Sequence, residues 1–226
     1  MKKYTKADEI YKRVLNLERL LSVAYTTVRF IAIYNMAGRQ AKILHEQQIN
    51  DLLVFASTTR NPLRNKLIVL LSVKAGLRAG EIAGLTWDMV LDPTGEVGQA
   101  IELHDCIAKK NSGRRIPVNP ALWTALTAWC LLTGGTGPVI RSEHGDAMLP
   151  VSIVNWFALA YRAVGLAGCS SHSGRRTFIT RAARLVHKAG GSLRDVQLLA
   201  GHRSIQTTQR YIDGDTDVQR KLVAMI

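Results

Sequence analysis

Acidic side chains are scarce in this sequence. It has 17 Asp and Glu against 30 Lys and Arg, which gives a formal net charge of +13 and an isoelectric point near 10.1. A chain this basic attracts polyanions, and nucleic acid is the commonest of them. An anionic membrane surface is the competing partner, but no long basic amphipathic anchor stands out.

Cysteine is also scarce, and long apolar runs are missing. The three cysteines, at 106, 130 and 169, are odd in number and widely spaced, as expected for reduced thiols in a cytoplasmic protein. Cys169 and His172 form a lone Cys-x-x-His, which disfavours a four-ligand zinc site, and we expect no bound metal. The longest apolar run, 67–73, is too short to span a bilayer. No apolar segment of the signal-peptide kind follows the basic N-terminus.

The hydrophobic pattern predicts a mainly helical chain with one small antiparallel sheet, an α+β fold. Apolar residues recur at helical spacing in segments that begin near residues 46, 62, 78, 120, 151, 173, 193 and 205. Asn61 and Asn119 each precede a proline suited to the first helical position, and Ser192 with Asp195 has capping-box spacing. Ile101, Leu103 and Ile107 predict a strand by alternation, and 115–118 predicts its return after a turn at 111–113.

Composition predicts two unequal parts. Residues 1–45 hold nine Lys and Arg against three Asp and Glu and have one apolar helical side. This segment is too short for an ordinary independent domain, so we interpret it as an arm, a partner-binding helix or an incomplete domain. Residues 46–226 are predicted to form the main domain, whose tail, 214–226, has apolar residues at roughly helical spacing.

The stretch 172–211 concentrates side chains that suit phosphate chemistry. It contains His172, Arg175, His202 and Tyr211. A phenol is protonated at neutral pH, so Tyr211 becomes a nucleophile only if its neighbours hold and deprotonate it. Attack on a phosphodiester raises the negative charge on the non-bridging oxygens. Arginine suits that charge because the guanidinium is planar, permanently charged and bidentate.

Two arginines on different elements, Arg78 and Arg175, are candidates to clamp one phosphate. His172 precedes Arg175 by three residues on the same side of a helix start, so it can bond the phosphate or accept the tyrosine proton. His202 lies just before a new helix and can donate to a phosphate oxygen. Glu81 follows Arg78 by three residues, and we predict that it holds that helix start by a hydrogen bond.

A leaving 5′ oxygen needs a proton, and two adjacent lysines compete to supply it. Alternation places Lys109 on the same strand face as Ile101 and Leu103. Lys110 shares the opposite face with Glu102. Since the apolar face packs toward the core and cleft, we favour Lys109 as the proton donor.

These residues carry a resemblance to the tyrosine recombinases, the family of phage integrases and Xer-type enzymes. The resemblance covers about 46–213. Its motifs are AGLRAGEI around Arg78, a K-x7-P hairpin from Lys109 to Pro117, HSGRR at 172–176 and LAGHRSIQTTQRY at 199–211. Each motif alone is weak, but all of them in the family's order make the resemblance specific. It implies the catalytic-domain fold of that family.

The resemblance also implies a reaction. Tyr211 would attack a DNA phosphate, form a 3′-phosphotyrosine link and release a 5′ hydroxyl; a 5′ hydroxyl of the partner duplex would then reverse the step. Lys109 would act as general acid. Metal and ATP would not be needed, because the covalent link conserves the bond energy, so we expect no cofactor. The transition state would be stabilised by Arg78, Arg175, His172 and His202.

The partner implied is double-stranded DNA at the bacterial nucleoid. Four protomers would synapse two sites, each packing its C-terminal tail into a neighbour, whereas a monomer or weak oligomer is expected without DNA. Residues 1–45 are shorter than the family's usual core-binding domain. Beyond the catalytic residues we expect DNA contacts from Lys110, Arg114, Arg176 and Arg203.

Two alternatives stay open from the sequence. Residues 192–213 have the outline of a helix-turn-helix, which is consistent with a DNA-binding regulator without catalysis. Such a regulator would not need Arg78, Lys109, His172, Arg175 and Tyr211 together. A relaxing enzyme resembling type IB topoisomerases would share the chemistry but would not pair two sites.

Overall fold

The computed structural model describes residues 41–108, 112–213, 220 and 223–226. Residues Ala41–Ile226 belong to one compact unit. The N-terminal segment predicted over 1–45 therefore lies outside the described residues, except for its last five positions. Of the predicted tail, Arg220 and 223–226 are described, and all five of these residues are exposed.

The described part is mainly helical with a two-stranded antiparallel sheet, as predicted. The elements are α1 Glu46–Ser57, α2 Pro62–Lys74, α3 Ala79–Gly84, a 3₁₀ turn Trp87–Met89, β1 Ala100–Leu103, β2 Arg114–Pro117, α4 Pro120–Thr133, α5 Pro150–Ala163, α6 Ser173–Leu185, α7 Leu193–Ala200 and α8 Ile205–Asp213.

Local capping explains where several helices begin. Pro62 and Pro120 occupy the first helical positions of α2 and α4, where a missing N–H costs nothing. The Ser192 backbone N–H donates to the Asp195 carboxylate at 2.8 Å, which completes the capping box of α7.

Helix α2 is the centre of the main core. It packs against α1, α4 and α6, and Leu67, Ile68 and Leu71 are fully buried. The longest apolar run of the sequence is therefore the inside of a globular domain. No helix among the described residues has both the length and the apolar character needed to cross a membrane.

The strand that precedes the lysines is shorter than alternation predicted. β1 pairs with β2 from Ala100 opposite Pro117 to Leu103 opposite Arg114, and there it ends. The chain turns instead, with the Ala108 N–H donating to the Asp105 carbonyl at 3.2 Å. The strand therefore ends before Ile107, so the alternation that favoured Lys109 over Lys110 is not supported by a strand at Ile107.

The compact unit begins at Ala41, and Leu44 in this first segment packs on α6. Leu44 is 1% exposed, and its backbone N–H donates to the Thr177 hydroxyl at 2.8 Å. Arg181 donates to the Leu44 carbonyl at 3.2 Å and to the Glu46 carboxylate at 2.6 Å.

A second, smaller core joins α6, α7 and α8. It consists of Ile179, Ala183, Val186, Val196 and Ala200, and Tyr211 packs against it. This core fixes α8, which carries Tyr211, relative to α6, which carries Arg175. The Thr180 hydroxyl adds a bond at 3.4 Å to the Tyr211 carbonyl.

Candidate active site

Arg78 stands at the N-cap of α3, held by Glu81 as predicted from their spacing. The Arg78 backbone N–H donates to Glu81 Oε2 at 2.9 Å, and its guanidinium donates to Oε1 at 2.5 Å. Glu81 is 1% exposed, whereas the Arg78 side chain keeps 21% of its surface. The carboxylate therefore holds an arginine that still reaches the surface.

Arg114 is the second partner of Glu81, a role the sequence reasoning missed. Its two terminal nitrogens donate to the two oxygens of Glu81 at 3.1 and 3.0 Å, and its Nε donates to the Leu199 carbonyl at 2.9 Å. The side chain is only 5% exposed. The predicted DNA contact by Arg114 is therefore not the role that its side chain has here.

Strand alternation would have indicated this orientation. Arg114 lies two residues before the buried Ile116 and so shares its face, whereas Arg115 on the opposite face is exposed. Arg115 pairs only loosely with Glu102, at 3.7 Å.

The two arginines keep Glu81 ionised. Burial by itself would raise the pKa of Glu81, but the hydrogen bonds and charge of Arg114 and Arg78 outweigh it and lower the pKa to about 2. The carboxylate is therefore charged at any pH at which the protein would act.

Arg175 lies near the start of α6 and is 3% exposed. It donates to the Gly76 carbonyl at 2.6 Å and to the Ala200 carbonyl at 2.5 Å. Ala200 is the last residue of α7, so Arg175 satisfies a carbonyl that the helix leaves unpaired. Burial and the nearby charges of Arg78 and Arg114 lower the pKa of Arg175 to about 10, so it stays charged at neutral pH.

His202 lies between Arg175 and α8. Its Nε2 lies 3.2 Å from a terminal nitrogen of Arg175, and its Nδ1 lies 2.9 Å from the hydroxyl of Thr208. Burial, with the charges of Arg175, Arg78 and Arg114, lowers the pKa of His202 to about 4. The imidazole is therefore neutral at pH 7.

Thr208 was not singled out from the sequence, although its place on α8 could have indicated it. It lies three residues before Tyr211, on the same side of the helix, and is fully buried.

Tyr211 stacks on His202. The two ring centroids lie 5.3 Å apart with 26° between the planes. The Arg176 guanidinium carbon lies 5.8 Å from the Tyr211 ring centroid, within cation–π range. The structure thus links Tyr211, His202 and Arg175, and the Gly76 contact brings Arg175 to the loop that leads into Arg78.

The remaining predicted residues are placed as follows. His172 is exposed at the N-cap of α6, three residues before Arg175, and its backbone N–H donates to the Ser170 hydroxyl at 3.3 Å. Arg203 is exposed beside His202. Lys109 and Lys110 lie outside the described residues. No group of His, Cys, Asp and Glu suited to a metal ion occurs in the described ranges.

The chain is similar to known recombinases. It is 30% identical over 192 residues to the tyrosine recombinase XerC of Xylella fastidiosa, a match that covers 80% of this chain and 62% of that protein. The chain thus spans about three-fifths of the length of this relative.

Solved structures share the fold. The crystal structure of XerA recombinase superposes with a TM-score of 0.65 at 20% identity, over 84% of this chain and 64% of that one. The Tn1549 transposon integrase in complex with transposon right end DNA gives a TM-score of 0.63 at 19% identity, over 84% of this chain and 67% of that one.

The model of the phage integrase family matches residues 42–217, which include all the candidate residues from Arg78 to Tyr211. This match agrees with the resemblance found in the four motifs and favours it over a helix-turn-helix regulator or a relaxing enzyme. The chain belongs to the phage integrase family.

Proposed function

We propose that this chain is the catalytic part of a site-specific DNA recombinase that cleaves and rejoins strands through a 3′-phosphotyrosine on Tyr211. The observation that carries the proposal is the contact chain from Tyr211 through His202 to Arg175, with Arg78 nearby. A candidate nucleophile and permanent positive charges share one small region, as attack on a phosphate requires. The sequence relative and the DNA-bound integrase fold support the choice of DNA as substrate.

The nucleophilic step begins with Tyr211. Its phenolic oxygen forms a bond to the scissile phosphorus as the bond to the 5′ oxygen breaks. The phenolic proton passes to a base, for which His172 is the candidate, and the 5′ oxygen takes a proton from Lys109. Attack by a 5′ hydroxyl from another duplex runs the same steps in reverse, restores the phenol and joins the strands.

Arg175 and Arg78 stabilise the negative charge that develops on the phosphate oxygens. Arg175 uses three of its five N–H groups on Gly76, Ala200 and His202, so two are left for a phosphate. The exposed part of the Arg78 side chain can donate to the same phosphate. His202 can donate from Nε2 only after taking up a proton, which a bound phosphate favours because an opposite charge raises a histidine pKa.

This chemistry proceeds without metal or ATP. The phosphotyrosine retains the free energy of the phosphodiester. The guanidinium groups supply the charge stabilisation that a metal ion would otherwise give.

The proposed partner is duplex DNA, with four protomers on two synapsed sites and a monomer or weak oligomer without DNA. Arg176, Arg203 and Lys110 are the proposed backbone contacts, since sequence-independent contacts of this kind position a protein on DNA. The exposed apolar ends Val223, Met225 and Ile226 suit packing into a neighbouring protomer. Acting on bacterial DNA, the protein would work at the nucleoid.

Covalent capture tests the proposal. The probe is a library of duplexes with a randomised site, nicked so that cleavage releases a short fragment and cannot be reversed. We expect wild-type protein to form adducts that survive denaturation and that enrich one family of sites.

Tyr211→Phe should bind the enriched DNA and form no adduct. Tyr161→Phe, which removes a phenolic hydroxyl from the main core, should still form the adduct. Adducts with Tyr211→Phe would move the nucleophile elsewhere. Binding without adducts by wild-type protein would support a regulator, and relaxation of supercoiled DNA without joining of two sites would support a topoisomerase-like enzyme.

A further inference from the structure

We propose that Arg114 is a positioning residue of the active site, which acts through Glu81 on Arg78 and through the α7–α8 turn on His202. This inference rests on the proposed function of the same site. The side chain extends from the β1–β2 hairpin into the protein, although a DNA contact was predicted for Arg114 from the sequence.

The contacts of Arg114 form a fork that a lysine cannot reproduce. Three of its nitrogens bind three different acceptors: the two oxygens of Glu81 and the carbonyl of Leu199. A bidentate pair fixes the plane of the carboxylate as well as its position. Arg78 bonds to both oxygens of the same carboxylate, so the orientation that Arg114 imposes on Glu81 is passed on to Arg78.

The third contact reaches the other half of the site. Leu199 precedes Ala200, whose carbonyl binds Arg175, and Gly201, which is followed by His202. Gly201 adopts a φ of +62°, and a Cβ built there would lie 2.9 Å from the Arg114 Cδ. The turn that delivers His202 is therefore in van der Waals contact with the Arg114 side chain.

Arg114 differs from Arg78 in exposure. Its side chain is 5% exposed, against 21% for Arg78. Three of its five N–H groups are committed to Glu81 and Leu199, so the side chain connects β2 to α3 and α7.

The test compares Arg114→Lys with Arg115→Lys on the site enriched by covalent capture. Both variants keep the charge, but only the first removes a buried fork. We expect Arg114→Lys to lower the single-turnover cleavage rate per folded molecule at saturating DNA by about 10-fold to 100-fold, as a small misplacement of catalytic groups does. DNA affinity should stay near wild type in both variants, and Arg115→Lys should cleave normally.

A double-mutant cycle with Glu81→Gln tests the route. If Arg114 acts through Glu81, the rate of the Arg114→Lys, Glu81→Gln pair should be close to that of Glu81→Gln alone, because interacting residues are not additive. Should Glu81→Gln fail to fold, the comparison with Arg115→Lys still decides.

Several results would overturn the positioning role. Arg114→Lys that cleaves at the wild-type rate per folded molecule would reduce Arg114 to a stabilising residue. A selective loss of DNA affinity would restore the DNA contact predicted from the sequence. Multiplicative rate losses in the double mutant would separate Arg114 from Glu81. These outcomes all require adducts from wild-type protein, so failure of the proposed function is recognised by the absence of those adducts.

Discussion

An NH2 nitrogen of Arg175 lies 3.2 Å from Nε2 of His202. A guanidinium can only donate, so Nε2 is the acceptor and carries no hydrogen. The neutral ring then has its hydrogen on Nδ1, which donates to the Thr208 hydroxyl at 2.9 Å. The tautomer and orientation of His202 are thus fixed from both sides.

The neutrality of His202 predicts a loss of stability in mild acid. The pKa of His202 is lowered to about 4 in the folded protein. As pH falls through the ordinary histidine range, the unfolded chain is therefore protonated at this residue while the folded protein is not. Stability from this group is complete above that range and is lost toward pH 4. The expected loss is up to about 2 kcal/mol between pH 7.5 and 5.

Urea unfolding at several pH values measures this loss. His202→Gln should flatten the dependence, whereas His144→Gln, at an exposed position, should not. Glu81 contributes in the same direction but only in stronger acid, because its pKa is lowered to about 2 and its stabilisation is lost as pH falls below the ordinary glutamate range. Equal pH dependence in wild type and His202→Gln would contradict the prediction.

Thr208→Val should disturb His202 without changing the shape of the helix. It removes the acceptor of Nδ1–H from a fully buried position, and an unpaired buried polar group costs about 1–3 kcal/mol. Thr207→Val, at the exposed neighbouring position of α8, has the same β-branched side chain and is the control. The ¹⁵N chemical shifts of His202 report the hydrogen bonding of each ring nitrogen, and the Nδ1 shift should change in Thr208→Val alone.

Gly201→Ala should be more destabilising than Gly190→Ala. Both glycines have a positive φ, +62° and +74°, so both variants pay a similar backbone strain. Only the Cβ at 201 meets Arg114, and nothing lies within 4 Å at 190. We expect Gly201→Ala to lower the free energy of unfolding in urea by about 1–3 kcal/mol more than Gly190→Ala does. Equal losses would mean that the Arg114 side chain moves aside without cost.

A substrate with a sulfur in place of the 5′ bridging oxygen should identify the general acid. Sulfur leaves without protonation, so a variant that lacks only the proton donor regains cleavage. We expect rescue of Lys109→Ala, with a defect of about 100-fold or more on the oxygen substrate. Lys110→Ala should show neither the defect nor the rescue. The reverse pattern would assign the role to Lys110.

Local rules predicted most of the fold. The starts of α2 and α4 followed from an Asn–Pro pair, and α7 followed from Ser192 with Asp195. Each of these depends on residues within one turn of helix, so the sequence alone contains the cause.

Contacts over long sequence distances were not predictable in the same way. Arg175 and Gly76 are 99 residues apart, and Arg114 and Glu81 are 33 apart. Only the packed domain brings such acceptors within reach. Strand β1 ends at Leu103 because the chain turns after it. The alternation of apolar residues through Ile107 gave no sign of that turn.

The described ends of the connection between β1 and β2 are held by the domain. Ala108 is 6% exposed in the main core, and the Gly113 N–H donates to the Asp105 carboxylate at 2.7 Å. These two ends are therefore anchored by different means, one by apolar packing and the other by a charge-assisted hydrogen bond.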